Sequence, residues 1–139
     1  MAEATLFRPH VYLNGCVTAA FESPDSIRFV VARIGTAAML RAAGEIDALN
    51  STTWQCLLDE IADSIAVGGA LIVDLSDLAF IGARGFAAIA TTSMRCSDRG
   101  VTVCVVGDPV RLTRIVATCG WQNDLPVYGD VSAALDYCR

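Results

Sequence analysis

Residues 70–75 read Ala-Leu-Ile-Val-Asp-Leu, and this almost unbroken apolar stretch decides the fold class. A strand with one face in solvent alternates apolar and polar side chains, whereas a strand covered on both faces is apolar nearly throughout. We therefore expect residues 70–75 to form a central strand of a sheet that has helices packed on it. That arrangement is typical of an α/β domain.

Two amphipathic helices flank this strand in the sequence. Asn50 and Ser51 are candidate N-caps of the first helix. The predicted buried face of this helix consists of residues at helical spacing, namely Trp54, Leu57, Leu58, Ile61 and Ile65. The second helix is expected after a turn at residues 82–85, with an apolar face made of Phe86, Ile89, Ala90 and Met94.

The alternation of strands and helices continues to the end of the chain. Residues 101–106 predict a second buried strand, and Asp108 followed by Pro109 predicts the start of a third helix. Residues 127–128 predict a short last strand, and a fourth helix is expected to begin at Asp130. Because helices join successive buried strands, these strands are expected to pair in parallel through right-handed crossovers.

The part before the first helix predicts an antiparallel hairpin, formed by residues 27–33 and 38–43. Residues 1–26 are divided by proline and glycine, and they are expected to form an N-terminal arm or an extra edge strand. Residues 27–139 are expected to fold as one domain. The fold expected is α/β, a mixed β-sheet of four to five strands with about four α-helices packed on it.

The composition limits the classes of partner. The chain of 139 residues carries a formal net charge of -5, and all of its basic side chains apart from one histidine are arginines. An acidic chain is a poor match for the phosphate backbone of a nucleic acid, which attracts clustered cations. No apolar run approaches the roughly 20 residues that cross a membrane, and no apolar leader marks the chain for export. We expect a cytoplasmic protein that binds neither nucleic acid nor membrane.

The residue types used for catalysis and metal binding are sparse. His10 is the only histidine and lysine is absent, so neither a Ser-His-Asp site nor a lysine base is expected. The six cysteines contain no Cys-x-x-Cys pair, and we expect no bound metal and no cofactor. Cys96 and Cys104 are the two cysteines that we consider as a redox pair. The sequence therefore predicts a protein that is not an enzyme.

Three segments carry a family resemblance. They are Gly-Glu-Ile-Asp at residues 44–47, Leu-Ile-Val-Asp-Leu-Ser-Asp-Leu at residues 71–78, and Phe-Ile-Gly-Ala-Arg-Gly at residues 80–85. Together with the order of the elements from about residue 27 to residue 137, they resemble the STAS domain of bacterial anti-sigma factor antagonists. The resemblance implies the STAS fold and a protein that binds an anti-sigma factor, a kinase of the GHKL type, and thereby frees a sigma factor.

The resemblance also implies a phosphorylation switch at the start of the second helix. The family motif is Asp-Ser-Ser-Gly or Asp-Ser-Thr-Gly, and the matching residues here are Gly82, Ala83, Arg84 and Gly85. The aspartate and both hydroxyl groups are missing, and only the last glycine is kept. We therefore expect binding to an anti-sigma factor without a phosphorylatable Ser or Thr.

The expected partner-binding residues lie on two segments: Asp47, Asn50, Ser51, Gly82, Ala83, Arg84, Gly85 and Phe86. Two interpretations of Arg84 stay open, a solvated surface arginine or a contact to a carboxylate of the partner. Asp47 is equally a turn or capping aspartate or a contact to the kinase. A homodimer is a further assembly that we consider.

Other polar residues also have a structural and a functional interpretation. Asp74 is expected to be a structural residue at the end of a central strand, since a phospho-acceptor aspartate of a receiver domain also needs a lysine. Arg111 and Arg114 are one helical turn apart and predict either a cationic patch or a solvated helix face. The alternative function is a ligand-sensing STAS module, in which the backbone amides of residues 82–85 hold a small anion or nucleotide.

Overall fold

Seven strands and four helices make up the part of the chain that the structure describes. The structure is a computed structural model, and it describes residues 8–13, 16–23, 27–120 and 125–138. In chain order the elements are β1 (Arg8–Leu13), β2 (Cys16–Ser23), β3 (Ile27–Ile34), β4 (Ala37–Ile46), α1 (Ser51–Asp63), β5 (Ala70–Ile81), α2 (Ala83–Asp98), β6 (Thr102–Val106), α3 (Pro109–Cys119), β7 (Val127–Tyr128) and α4 (Val131–Tyr137). The five strands from β3 onward and the four helices confirm the expected α/β fold.

The described strands form one sheet in the order β1-β2-β3-β4-β5-β6-β7. The strands from β1 to β4 pair antiparallel, and those from β4 to β7 pair in parallel. Leu71 of β5 pairs with Ala38 on one side and with Val103 on the other. The predicted hairpin, the parallel pairing and the central position of residues 70–75 are therefore confirmed.

Two strands, β1 and β2, occupy the segment for which the sequence predicts an arm or one extra edge strand. β2 pairs with β3, with Thr18 opposite Ala32 and Ser23 opposite Ile27. The sheet thus extends by two strands beyond the hairpin. Gly15 and Pro24, which suggest an irregular segment, lie outside the described residues. The division of the chain between residues 26 and 27 stays a prediction.

Helices cover both faces of the parallel strands. On one face a large core joins the sheet to α1, α2 and α3, and its buried side chains include Phe29, Trp54, Phe86, Ile89 and Leu112. On the other face α4 packs against a smaller core, which includes Ile72, Cys104, Val106 and Ala134. Burying one large apolar side chain contributes roughly 1.5–3 kcal/mol. The larger core is therefore the main source of stability.

Local capping determines the helix boundaries in the second half of the chain. The Asp108 side chain accepts a hydrogen bond from the Val110 N–H at the start of α3. α3 ends at Gly120, whose φ of 78° lies in the left-handed region that glycine adopts without strain. The Asp130 side chain caps α4 by accepting a hydrogen bond from a first-turn N–H. The predicted starts of α3 and α4 are confirmed.

The start and the buried face of α2 differ from their predictions. The helix begins at Ala83 rather than after residue 85, and Phe86 N–H donates to the Gly82 carbonyl oxygen at 3.1 Å as its first helical hydrogen bond. Met94, which is expected on the buried face, is 56% exposed, and Ser93 is buried instead. At 3.6 residues per turn Ser93 lies about 20° around the helix from Phe86, whereas Met94 lies about 80° away.

The expectations for Asp74 and for the cysteine pair are corrected by the structure. Asp74 does not end its strand, because β5 continues past it, and the carboxylate is buried where Arg41 Nε donates to it at 3.0 Å. Cys96 and Cys104 belong to the cores on opposite faces of the sheet. Cys104 instead lies beside Cys138, at the end of α4.

Candidate functional site

The end of β4 and the start of α2 lie side by side. The Gly82 N–H donates to the Ile46 carbonyl oxygen at 2.8 Å. Gly82 is the N-cap of α2 and Ile46 is the last residue of β4, so the segments that follow them leave from adjacent points. This hydrogen bond brings together the two segments that the sequence predicts to bind a partner.

The first turn of α2 has two exposed side chains and two buried residues. Ala83 and Arg84 are exposed, whereas Gly85 is buried and Phe86 is 1% exposed. Gly85 has no room for a side chain, because a Cβ there would lie 2.6 Å from Ile46 Cγ2. Gly85 and Phe86 therefore anchor the turn, and solvent reaches it at Ala83 and Arg84.

Trp54 holds the same turn from α1. Its indole N–H donates to the Gly85 carbonyl oxygen at 2.9 Å, and the side chain is fully buried. Its ring stacks on Phe29 of β3, with the ring centroids 5.7 Å apart. Because a buried indole N–H needs an acceptor, the packing of α1 fixes the position of this turn. The start of α2 is thus held by β4 and α1 together.

The four residues after β4 form a turn that is closed by the side chains at its two ends. The Asp47 carboxylate accepts from the N–H groups of Leu49 at 2.9 Å and Asn50 at 3.3 Å. The Asn50 amide accepts from the Asp47 N–H at 2.9 Å and donates to the Glu45 carbonyl oxygen at 2.8 Å. Asn50 occupies the expected N-cap position of α1, although its side chain makes no capping bond there. Asp47 therefore has a structural role in the turn.

We call four residues of these two segments the β4–α2 surface: Asp47, Leu49, Ala83 and Arg84. Leu49 is 87% exposed, Asp47 is half-buried, and the other two are exposed. Ser51 is half-buried, and its hydroxyl donates to the Ala48 carbonyl oxygen at 3.3 Å, so it supports the turn. The surface thus combines an apolar side chain with one acidic and one basic group.

Arg84 lies where a helix disfavours a cation. The N-terminal end of a helix carries partial positive charge and stabilises anions by about 0.3–1 kcal/mol. The first turn of α2 has no acidic residue, and Gly82 offers no side-chain cap. Within the described residues, ion pairs involve Arg41 and Arg95 but not Arg84. The exposed Arg84 guanidinium therefore lies beside a helix end that repels it.

The other charged candidates belong to different parts of the fold. Asp74 follows Ile72 by two residues and so faces the core under α4, whereas α1 and α2 cover the opposite face. Its carboxylate accepts from Arg41 and from the Ser76 N–H, which supports the structural interpretation. Arg111 and Arg114 are both exposed on α3.

A pocket lies between the end of β5 and the start of α3. Its lining includes Ser76, Asp108 and Arg111, but none of residues 82–85. The pocket therefore gives no support to an anion held by the amides at the start of α2. In the part of the chain that is described, no group of His, Cys, Asp and Glu side chains is arranged to hold a metal ion. No helix in the same part combines the length and the apolar composition of a membrane span.

The sequence did not predict two contributions to this site. Leu49 lies in the turn between Asp47 and Asn50. A turn has no buried helix or strand face, so an apolar side chain there is expected to be exposed. Trp54 is predicted as a core residue, but its bond to the start of α2 is not. The polar N–H of a buried tryptophan is the available signal, because it usually has a hydrogen-bond partner.

Comparison with known proteins gives consistent matches over most of the chain. The family model of the STAS domain matches residues 28–134. The anti-sigma-F factor antagonist RsfA of Mycobacterium tuberculosis is 32% identical over 125 residues, which cover 88% of this chain and 98% of RsfA. The crystal structure of an anti-sigma factor antagonist from Mycobacterium paratuberculosis matches with a TM-score of 0.71 and 26% identity, over 86% of this chain and 99% of that one.

A more distant protein shares the fold. SpoIIAA of Bacillus, an anti-sigma factor antagonist, matches in its unphosphorylated form with a TM-score of 0.63 and 13% identity, over 78% of this chain and 94% of that one. The family match also runs from the second residue of β3 to the middle of α4. The chain therefore belongs to the STAS domain family.

Proposed function

We propose that the protein is an anti-sigma factor antagonist, which binds an anti-sigma factor and so releases a sigma factor. The names of its relatives in M. tuberculosis and M. paratuberculosis support this function. The observation that carries the proposal is the fixed start of α2, where exposed Ala83 and Arg84 replace the hydroxyl residues of the family motif. We propose that it acts in the bacterial cytoplasm as a regulator and not as an enzyme.

The β4–α2 surface is the proposed contact. The hydrogen bonds of Gly82 and Trp54 hold its backbone before any partner binds. A preorganised surface loses little conformational entropy on binding, which favours affinity. Leu49 offers an exposed apolar side chain, and Arg84 offers a cation. We therefore expect the partner to present an apolar depression with a carboxylate near it.

The remaining predicted binding residues support the contact from beneath. All of them are buried or half-buried in the turn after β4 or at the start of α2: Asn50, Ser51, Gly82, Gly85 and Phe86. Substitution at these positions is expected to affect binding through the position of the surface. Substitution in the β4–α2 surface is expected to affect binding directly.

We further propose that the partner is a kinase of the GHKL type and that phosphorylation does not regulate its binding. SpoIIAA has been solved in an unphosphorylated and a phosphorylated form. A phosphoserine would add nearly two negative charges at such a turn. Here Ala83 and Arg84 provide no hydroxyl oxygen, and Arg84 provides a permanent positive charge instead.

The test of the missing switch combines intact mass with binding. The protein is incubated with its purified anti-sigma factor, Mg²⁺ and ATP, and the complex is then separated by size-exclusion chromatography. We expect the mass and the amount of complex to stay unchanged. A phosphoryl group on any residue of the protein that dissolves the complex would refute the proposal.

A matched pair of truncations tests the location of the contact. Leu49→Ala and Val67→Ala each shorten an exposed apolar side chain, 87% and 78% exposed respectively. Val67 precedes the start of β5, whereas the β4–α2 surface lies at the end of that strand. Leu49→Ala is expected to raise the Kd for the anti-sigma factor about tenfold, the effect of losing an interface anchor. Val67→Ala is expected to leave the Kd unchanged, and equal effects of the two changes would place the contact elsewhere.

A further inference from the structure

We propose that Cys104 and Cys138 are a reversible disulfide site that fastens the closing helix α4 to the sheet. This inference goes beyond the proposed function, because the pair lies on the face opposite to α1 and α2. The two Sγ atoms are 3.3 Å apart. A disulfide bond is about 2.05 Å long, so a closure of roughly 1.3 Å joins the two sulfur atoms.

The two thiols have different surroundings, which assigns them different roles. Cys104 on β6 is fully buried, whereas Cys138 is half-buried at the C-terminal end of α4. Burial raises the pKa of the Cys104 thiol, and its hydrogen bond with Cys138 raises it further. The thiolate is the nucleophile in disulfide exchange. Cys138, which solvent reaches, therefore reacts first, and Cys104 reacts second.

The co-reactant is a low-molecular-weight disulfide, RSSR. The Cys138 thiolate attacks one sulfur of RSSR, which breaks the S–S bond, forms a mixed disulfide at Cys138 and releases RS⁻. The Cys104 sulfur then gives up its proton and attacks Cys138 Sγ, which releases the second RS⁻. The two thiols lose two electrons and two protons in total, and RSSR gains them as two RSH.

The short helix α4 can shift enough for the disulfide bond to form. It has seven residues, and it contacts the sheet through the smaller core and through Tyr137, whose ring lies 5.4 Å from that of Tyr128. A small shift of its last turn moves Cys138 toward Cys104. The bond would close a loop between residues that are 34 positions apart. Closing such a loop restricts the unfolded chain and stabilises the folded one.

The three other cysteines whose side chains the structure describes lack a comparable partner. Cys96 is buried in the core on the other face of the sheet, and Cys56 and Cys119 are exposed on α1 and α3. Among the five cysteines whose side chains the structure describes, the contact between Cys104 and Cys138 is the one close approach between two sulfur atoms. Oxidation by exchange is therefore expected to be selective for this pair.

The test oxidises the full chain with glutathione disulfide and follows thiols, mass and melting temperature. We expect two of the six thiols to disappear, the mass to fall by two hydrogen atoms, and the Tm to rise by about 5–10 °C. Reduction with dithiothreitol should restore the original values. Cys138→Ser should abolish all three changes.

The matched control is Cys119→Ser, which should oxidise like the wild type. This variant also settles the assignment, because no arginine lies between Cys119 and Cys138 and cleavage after arginine leaves both in one peptide. In Cys119→Ser, that peptide should be found linked to the peptide that contains Cys104. A stable glutathione adduct without the internal bond, or a bond between any other cysteines, would overturn the proposal. Neither result would bear on binding through the β4–α2 surface.

Discussion

At the residue scale, Arg84 is in a position that does not favour the stability of its own helix. Its guanidinium is exposed at the N-terminal turn of α2, where no acidic side chain and no capping side chain offset the partial positive charge of the helix. Residues that weaken local stability at an exposed position are found where binding requires them. Stability and binding should therefore respond in opposite directions when this charge is reversed.

Arg84→Glu is expected to raise the free energy of unfolding by about 0.3–1 kcal/mol, because glutamate is favourable at a helix N-terminus. Urea denaturation monitored by circular dichroism measures the change. Arg114→Glu changes an exposed arginine in the middle of α3, away from the helix ends. It should change the free energy of unfolding by less than about 0.5 kcal/mol. A loss of stability in Arg84→Glu would show that the arginine has a stabilising partner in the fold.

Gly85→Ala tests the close approach of α2 to β4. At an open helix position this change stabilises by about 0.5–1 kcal/mol. At Gly85 the new Cβ would lie 2.6 Å from Ile46 Cγ2 and 3.0 Å from Ile81 Cγ1, so we expect a net loss of about 1–2 kcal/mol. Gly82→Ala is the comparison, because its Cβ meets the Phe80 ring at an ordinary 3.5 Å and the loss should be smaller. Higher stability in Gly85→Ala would contradict this packing.

At the scale of elements, α1 and α2 are joined at both ends of their contact. Trp54 of α1 bonds to the first turn of α2. At the other end, the Arg99 guanidinium donates to the carbonyl oxygens of Ala62 at 2.9 Å and Ile65 at 2.7 Å, where α1 finishes. Arg95 adds exposed ion pairs to two aspartates of α1. The pair of helices therefore supports the β4–α2 surface as one unit.

Arg99→Met should lower the free energy of unfolding by about 1–2 kcal/mol, because it removes a cation and two donors from one carbonyl group in the last turn of α1 and one just after the helix. Arg95→Met is the matched change one turn earlier, in the last turn of α2. It should have a smaller effect, about 0–1 kcal/mol, because its ion pairs are exposed. Guanidinium denaturation of both variants provides the comparison, and a larger effect at Arg95 would reverse this ranking.

Elements with local signals were predictable from the sequence, and contacts between distant residues were not. Asp108 and Gly120 mark the two ends of α3 in the sequence itself. The Arg41–Asp74 pair joins residues 33 positions apart, so no local pattern reveals that Asp74 is buried with a counterion. The site follows the same division, since the position of Arg84 was predictable while the Trp54 bond that holds its turn was not.

At the scale of the whole molecule, the two cores contain or adjoin groups whose pKa values are raised. Burial raises the pKa of the Cys96 thiol and of the Cys104 thiol, and it also raises the pKa of the Tyr128 phenol. Above the ordinary thiol pKa of about 8.5, the unfolded chain loses protons that the folded chain keeps. Ionisation then stabilises the unfolded state relative to the folded state. The free energy of unfolding therefore falls as pH rises.

The free energy of unfolding is therefore expected to decrease between about pH 8.5 and pH 10.5, by up to about 1.4 kcal/mol per pH unit for each such group. Chemical denaturation of the reduced protein across this range measures the slope. Cys104→Ala should make the slope shallower, whereas Cys119→Ala, which changes an exposed thiol, should leave it unchanged. Identical slopes in all three proteins would show that Cys104 ionises as freely in the folded state as in the unfolded chain.

The whole protein is proposed to recognise its anti-sigma factor through a start of α2 that carries no hydroxyl group. Calorimetric titration with the anti-sigma factor tests this proposal most directly. The titration is made with the wild type, Arg84→Glu and Arg114→Glu, each before and after incubation with ATP. The predicted result is a Kd that ATP does not change, that rises at least about tenfold in Arg84→Glu, and that stays unchanged in Arg114→Glu. The same Kd for Arg84→Glu and the wild type, or a wild-type Kd weakened by ATP, would contradict the account.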